Sequence, residues 1–251
     1  MSHGHGPFPL VDDPDAPFPP AALALREPDG LLAVGGDLSP RRLLNAYRGG
    51  IFPWYSDGQP ILWWSPDPRL VFRTDAVRLS SRFRRSLRRC DWRVRADTDF
   101  AAVIAACADS PRPGQSGTWI TASMRAAYLR LHQLGHAHSI EVWDRQGRLA
   151  GGLYGVAVGR MFFGESMFSA YSGGSKVALA ALALRLHAWG WPLLDAQVEN
   201  PHLLALGGER WPRARFLDAV AGLVDEEDRP RNWTARFGQL PAAELARAAD
   251  R

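Results

Sequence analysis

The sequence predicts an α+β fold in two parts, and three observations predict it. From Ser139 onward the pattern reads as three consecutive antiparallel strands, then one long apolar helix, then a further strand. Before that stretch, the rigid segment Ser65-Pro-Asp-Pro68 marks a break after a smaller region of short apolar runs. The chain has 251 residues, enough for one large or two small domains and for burying roughly 70–75% of its unfolded surface. A 46% hydrophobic content with 22% charged residues excludes a disordered chain or a collagen-like fibre. Two cysteines, Cys90 and Cys107, exclude a disulfide scaffold and fit a reduced, cytoplasmic location.

Residues 1–20 are dominated by proline, glycine and aspartate, so this start is expected to lack fixed structure. Residues 21–66 form the small N-terminal domain. Within it Leu31-Leu-Ala-Val34 is a short apolar run, and Asp37 or Ser39 caps a helix with Pro40 at its first position that stops at Gly49-Gly50. Ile51–Tyr55 and Ile61–Trp64 flank a turn at Ser56-Asp-Gly58. Residues 67–251 form the larger domain. Phe100–Ala108 and Ser123–Leu134 read as helices, the second capped by Thr121 or Ser123 and closed by Gly135. Ser139–Trp143, Leu149–Val158 and Met161–Phe168 are the three strands. Ser175 caps the apolar helix running to Trp189, Pro192–Val198 is the next strand, and Arg213–Leu223 is a helix. The segment Ala242–Ala249 is expected to be helical or frayed.

The longest apolar run, Phe100–Ala108, is far short of the about 20 residues that a bilayer span needs, so no membrane contact is expected. The N-terminus carries no secretory pattern. The net charge of +4 is modest, but all 30 cationic side chains except Lys176 are arginine, whose planar fork suits phosphate. Arginines crowd between Arg69 and Arg95, opposed there only by Asp75 and Asp91. Ser80–Arg89 reads as a short helix with Phe83 and Leu87 facing inward, which puts Arg82, Arg85 and Arg89 on one face suited to an RNA backbone. His132, His136 and His138 have no second ligand cluster, so no metal site is expected.

Asp195 and Gln197 stand two apart on the predicted strand, so their side chains share a face, and a carboxylate and an amide can then converge on one reacting group. Spacing alone leaves open whether this pair is catalytic or only bonds the backbone. Seven stretches bear on the choice: Gly30-Leu-Leu-Ala-Val-Gly-Gly-Asp-Leu-Ser39, Gly50-Ile-Phe-Pro-Trp54, Ile61-Leu-Trp-Trp-Ser-Pro-Asp-Pro-Arg69, Gly117-Thr-Trp-Ile120, Leu134-Gly-His-Ala-His-Ser-Ile-Glu-Val-Trp143, Gly164-Glu-Ser-Met-Phe-Ser169 and Asp195-Ala-Gln197. Together, and in this order, they resemble the leucyl/phenylalanyl-tRNA–protein transferase family over about Leu25 to Arg215.

The resemblance implies a small N-terminal α/β domain followed by an acetyltransferase-like (GNAT-type) domain. It implies an enzyme that moves leucine or phenylalanine, and methionine less well, from aminoacyl-tRNA to proteins with an N-terminal Arg or Lys, tagging them for degradation. No cofactor is implied, because the tRNA ester is already an activated acyl donor, and a monomer is expected. Asp195, Gln197 and Glu165 are the implied catalytic group, with Glu165 facing the cationic acceptor. Trp54 and Trp119 are implied to flank the terminal adenosine, where stacking is worth about 1–3 kcal/mol. Leu153, Met167, Leu182 and Leu194 are implied to line the aminoacyl pocket. Leu153 stands where relatives commonly carry methionine, Ala170 where they carry arginine, and Pro201 where Asn-Asp-His is usual.

Overall fold

The computed structural model describes residues 6–110, 119–226 and 232–248. Two sheets organise them. The first contains β1 (Phe8–Leu10), β2 (Leu31–Gly35), β3 (Phe52–Pro53) and β4 (Leu62–Trp64), in the order β1-β2-β4-β3. The second contains β5 (Arg69–Arg73), β6 (Arg93–Ala96), β7 (Ala137–Trp143), β8 (Leu149–Val158), β9 (Met161–Ser169), β10 (Leu193–Asp195), β11 (Glu209–Trp211) and β12 (Leu240–Pro241), in the order β11-β5-β10-β9-β8-β7-β6-β12.

In the second sheet β7, β8 and β9 run antiparallel, and β10 returns parallel to β9. The crossover is α5 (Gly174–Ala188), as a parallel return requires. The other helices are α1 (Pro40–Arg48), α2 (Ser81–Leu87), α3 (Phe100–Asp109), α4 (Ala122–Gln133), α6 (Pro201–Ala205), α7 (Arg213–Val224), α8 (Trp233–Phe237) and α9 (Leu245–Ala248). The caps expected of Ser39 and Thr121 are present, whereas α5 begins after Gly173 with no side-chain cap, so Ser175 lies inside that helix and does not cap it. Ser39, Thr121 and Asn200 accept the amides of Arg42, Met124 and Leu203, which would otherwise lack partners.

Strand alternation, with a register shift against β7 at Ala150, divides the sheet between two cores. Tyr154, Val156 and Val158 of β8 pack with α1, α3, α4 and α7, whereas Ala150 and Leu153 pack with α5, α8 and α9. The start of α5 lies so close to β8 that a Cβ on Gly151 would stand 2.6 Å from the Gly174 backbone. That contact explains a glycine in mid-strand.

Three expectations are corrected. Residues 6–20 have definite structure: β1 pairs in parallel with Ala33–Gly35, Arg42 donates to the carbonyls of Val11 and Asp13, and the Phe18 ring meets Trp63 at 4.9 Å. Met1 to His5 lie outside the described residues, as do Gly117 and Thr118. The helix expected over Ser80–Arg89 is α2, Ser81–Leu87, and stops short of Arg89. Finally, β10 ends at Asp195 and not at Val198.

Candidate active site

A cavity of about 450 Å³ opens between the two sheets. Phe72, Leu153, Phe162, Met167, Leu182 and Leu194 give it an apolar wall, drawn from β5, β8, β9, α5 and β10. Leu153, Leu182 and Leu194 are nearly inaccessible from outside, so the wall is continuous with the packed core of the sheet and α5. Phe52, Pro53 and Trp54, at the end of β3, and Trp119, just before α4, border the same space. Trp54 is the exposed member of this group and meets Trp64 at 5.7 Å between ring centroids. Glu165, Asp195 and Gln197 complete the border. All nine residues expected to catalyse or to bind the acyl group and adenosine therefore surround one cavity.

Arg82, Arg85 and Arg89 do not reach it. They are exposed, but α2 ends at Leu87, so Arg89 lies beyond the helix and does not continue the face of the other two. The histidines are used internally: His138 Nδ1 is 2.7 Å from Asp97 and its ring stacks on Trp233, while His132 Nδ1 is 2.9 Å from the Ala137 carbonyl. Among the described residues no three His, Cys, Asp or Glu side chains converge on a possible metal position.

The acid–amide pair differs from the geometry that strand spacing implied. Asp195 is completely buried and both its oxygens are paired: Arg69 donates from Nε to Oδ1 at 2.8 Å and from Nη2 to Oδ2 at 2.7 Å. The Gln197 amide adds a third bond to Oδ1 at 3.0 Å. Arg69 is equally buried. It donates from Nη1 to the Gly50 carbonyl at 3.0 Å and lies between the Phe52 and Phe216 rings, 4.8 and 4.5 Å from their centroids. Sequence reasoning counted Arg69 in the charge cluster and missed this role. The signal was its place at the end of Ser65-Pro-Asp-Pro-Arg69, followed by the apolar run Leu70-Val-Phe72.

Gln197 does not share a strand face with Asp195. Its φ of +53° is a left-handed conformation that a residue with a Cβ seldom adopts, at a cost of order 1–3 kcal/mol. Bonds on both sides hold it there: its amide donates to Asp195, and its carbonyl accepts from Leu70 at 3.1 Å. The consequence is that the Gln197 carboxamide approaches Glu165, with Nε2 3.5 Å from Oε1.

Glu165 is the most perturbed acid of the site. Loss of solvent is the main cause, and the nearby Asp195 charge adds to it; the Tyr47 and Tyr128 hydroxyls and the Arg69 charge oppose it. The result is a pKa raised to about 7. Tyr47 Oη lies 2.7 Å from Oε1 and Tyr128 Oη 2.7 Å from Oε2, and both rings are completely buried. Burial also pushes both phenols well above their ordinary range. Sequence reading named neither tyrosine; each is an inward-facing aromatic on its helix, and only the fold brings them together.

An apolar cavity bordered by a carboxyl group of raised pKa and by a carboxamide on a held backbone is a candidate active site. Residues 71–221 match the leucyl/phenylalanyl-tRNA protein transferase family, and residues 36–67 match the N-terminal domain of the same family. The chain belongs to that family and is a transferase. It is 69% identical over 244 residues to the leucyl/phenylalanyl-tRNA–protein transferase of Xanthomonas axonopodis pv. citri, covering 97% of this chain and 98% of that one. It is 62% identical over 239 residues to the enzyme of that name from Xylella fastidiosa, covering 95% and 98%. Among solved structures, a functionally unknown conserved protein from Staphylococcus epidermidis aligns over 72% of this chain and 68% of its own, at 11% identity and a TM-score of 0.37.

Proposed function

We propose that this chain transfers leucine or phenylalanine, and methionine less well, from the 3′ ester of its tRNA to the α-amino group of proteins beginning with Arg or Lys, so marking them for degradation by the N-degron route. One observation carries the reading: a single cavity joins an apolar wall fit for an unbranched-at-Cβ side chain to a carboxyl–carboxamide pair fit for an amine.

Leu153, Met167, Leu182 and Leu194 take the aminoacyl side chain. Such a wall separates leucine from smaller residues by about 1–3 kcal/mol per methylene. Trp54 and Trp119 stack on the terminal adenine and hold the ester at the mouth of this pocket. Arg82 and Arg85, on exposed α2, neutralise phosphates farther along the tRNA; Arg89 contributes from beyond the helix.

The chemistry replaces an ester C–O bond by an amide C–N bond and needs no cofactor. A peptide α-amino group has a pKa of about 7.7–8.0, so on the order of 10% is already nucleophilic near pH 7. Positioning therefore matters more than a strong base. The Arg69–Asp195 pair fixes the Gln197 backbone, and the Gln197 carboxamide and Glu165 orient the incoming amine. Asp195 acts as a positioning residue, because Arg69 occupies both its oxygens. We further propose that the first sheet with α1 is a small N-terminal domain, that the second is an acetyltransferase-type core, which the β7-β8-β9-α5-β10 order supports, and that the enzyme is a cytoplasmic monomer.

The test follows radiolabelled leucine from charged tRNA onto peptides differing only in their first residue. Label on the arginyl and lysyl peptides, and none on an aspartyl one, is expected; no transfer with folded protein and fully charged tRNA refutes the reading.

A further inference from the structure

Glu165, Tyr47 and Tyr128 form a triangle of oxygens. Tyr47 Oη and Tyr128 Oη each lie 2.7 Å from one Glu165 oxygen, and the two phenol oxygens lie 2.5 Å from each other. Counting protons shows what this geometry requires. With Glu165 ionised, the triangle holds two hydrogens, and both are used when the phenols donate to the carboxylate. The third and shortest contact would then set lone pair against lone pair in a buried place, where an unmade hydrogen bond is costly. One additional proton removes the conflict. The Glu165 hydroxyl then donates to one phenol, that phenol to the other, and the second phenol back to the remaining carboxyl oxygen.

We propose that Glu165, Tyr47 and Tyr128 share this extra proton in a closed neutral ring, and that the ring, not Asp195, carries the proton from the attacking amine to the departing ribose oxygen. The proposal rests on the transferase reading above. The acceptor enters after losing its ammonium proton to solvent. As nitrogen forms its bond to the acyl carbon, its N–H proton passes to an oxygen of the ring. The ring's own proton leaves from another oxygen to the ribose as the C–O bond breaks. One proton enters and one leaves, so the ring stays neutral and no net charge is added to an apolar cavity. A carboxylic acid suits this because it accepts at one oxygen while donating from the other.

The surroundings favour the neutral form. Facing Glu165 are Tyr47 of α1, Tyr128 of α4, Gln197 beyond β10, and the Arg69–Asp195 pair of β5 and β10, whose opposite charges are mutually engaged at 2.7 Å. Tyr154 of β8 stands behind, its ring 5.5 Å from that of Tyr128. The pKa of Glu165, raised to about 7 by burial, agrees with the added proton.

The experiment uses protein labelled with ¹³C at the glutamate carboxyl, read by NMR without ligand, together with Glu165→Gln, whose carboxamide can still donate to one phenol and accept from the other. Expected is a protonated carboxyl signal at about pH 6, well above the ordinary glutamate range, that vanishes in Glu165→Gln; this variant also separates it from Glu141, the other glutamate whose burial raises its pKa. Glu165→Gln should keep the KM for aminoacyl-tRNA while kcat falls about 100-fold or more. A Glu165 signal that is ionised from about pH 5 upward, or a Glu165→Gln enzyme with full kcat, overturns the ring. An unmodified protein that moves no leucine refutes the transferase reading; an ionised Glu165 in a protein that transfers well refutes the ring alone.

Discussion

Replacing Arg69 with methionine removes one partner of a completely buried ion pair and leaves Asp195 charged and unsolvated. The carboxylate loses donors at 2.8 and 2.7 Å and keeps only the Gln197 amide at 3.0 Å. Breaking such a pair costs about 3–5 kcal/mol. Desolvated stacking on Phe52 and Phe216 adds to what is lost. For a chain of this size that is a fall in Tm of roughly 6–20 °C. Urea unfolding and calorimetry measure it, and the double variant Arg69→Met/Asp195→Leu interprets it. Replacing both charges with apolar groups of similar volume should recover most of the stability, since the penalty arises from the orphaned charge. Leucyl transfer should stay lost in the double variant, because the Gln197 amide has no acceptor and its left-handed backbone is no longer held. A single-variant loss below about 1 kcal/mol would show a solvated pair, and a fully active double variant would show that Asp195 positions nothing.

Three other outcomes are expected. Trp54→Ala, at an exposed position (37%), should raise the KM for aminoacyl-tRNA about 5- to 150-fold, the equivalent of one lost stack of about 1–3 kcal/mol, while urea stability changes by no more than about 0.5 kcal/mol. The pair Arg82→Ala/Arg85→Ala should weaken tRNA binding and reduce the slope of log Kd against log salt by about 1.4–1.8, one phosphate per side chain, as followed by filter binding at several salt concentrations. Because Glu165 has its folded pKa raised from 4.5 to about 7, its contribution to stability is complete below the lower value and is lost as pH rises through the upper one. Urea midpoints of Glu165→Gln should therefore fall less over that interval than those of the unmodified protein, and parallel curves would mean that Glu165 titrates normally.

Much of the fold was legible because local and global preferences agree. The strand triplet, the apolar helix and the capped helices carry clear periodicity and caps, and β7, β8, β9, α4, α5 and α7 lie within a residue or two of the expected spans. The failures share a physical cause. β5 has arginine at both ends, Arg69 and Arg73, which resembles a solvated charge run; only the pairing with β10 reveals that Arg69 is buried against Asp195. β1 was hidden in a proline-rich start because three residues pairing with one edge leave no periodic signal. The cavity residues were legible through the family resemblance, not through patterning: Leu182 and Leu194 read as any core leucine would. Tyr47 and Tyr128 were illegible, since no spacing in sequence relates residues of two helices that only the fold brings together, at each other's hydroxyls and at a carboxyl group of β9.

The site also depends on a join that neither sheet makes alone. Gly50, between α1 and β3, turns with φ +68°, and its carbonyl accepts from both Arg69 Nη1 at 3.0 Å and Ser65 Oγ at 3.2 Å. A Cβ at Gly50 would stand 2.6 Å from a Leu217 methyl and 3.0 Å from the Phe216 ring, so glycine is required there twice, for its backbone angle and for its lack of volume. Phe216 is the ring on which Arg69 stacks, Arg69 fixes Asp195, and Asp195 fixes the amide of Gln197. Phe52, Pro53 and Trp54 follow directly after that turn and border the cavity on its other side. The polar and the aromatic borders of the cavity are thus set by one glycine turn pressed against α7. Docking of the N-terminal strands and formation of the site are therefore the same packing event: whatever loosens the first sheet from α7 must also release Arg69, and with it the carboxamide beside Glu165.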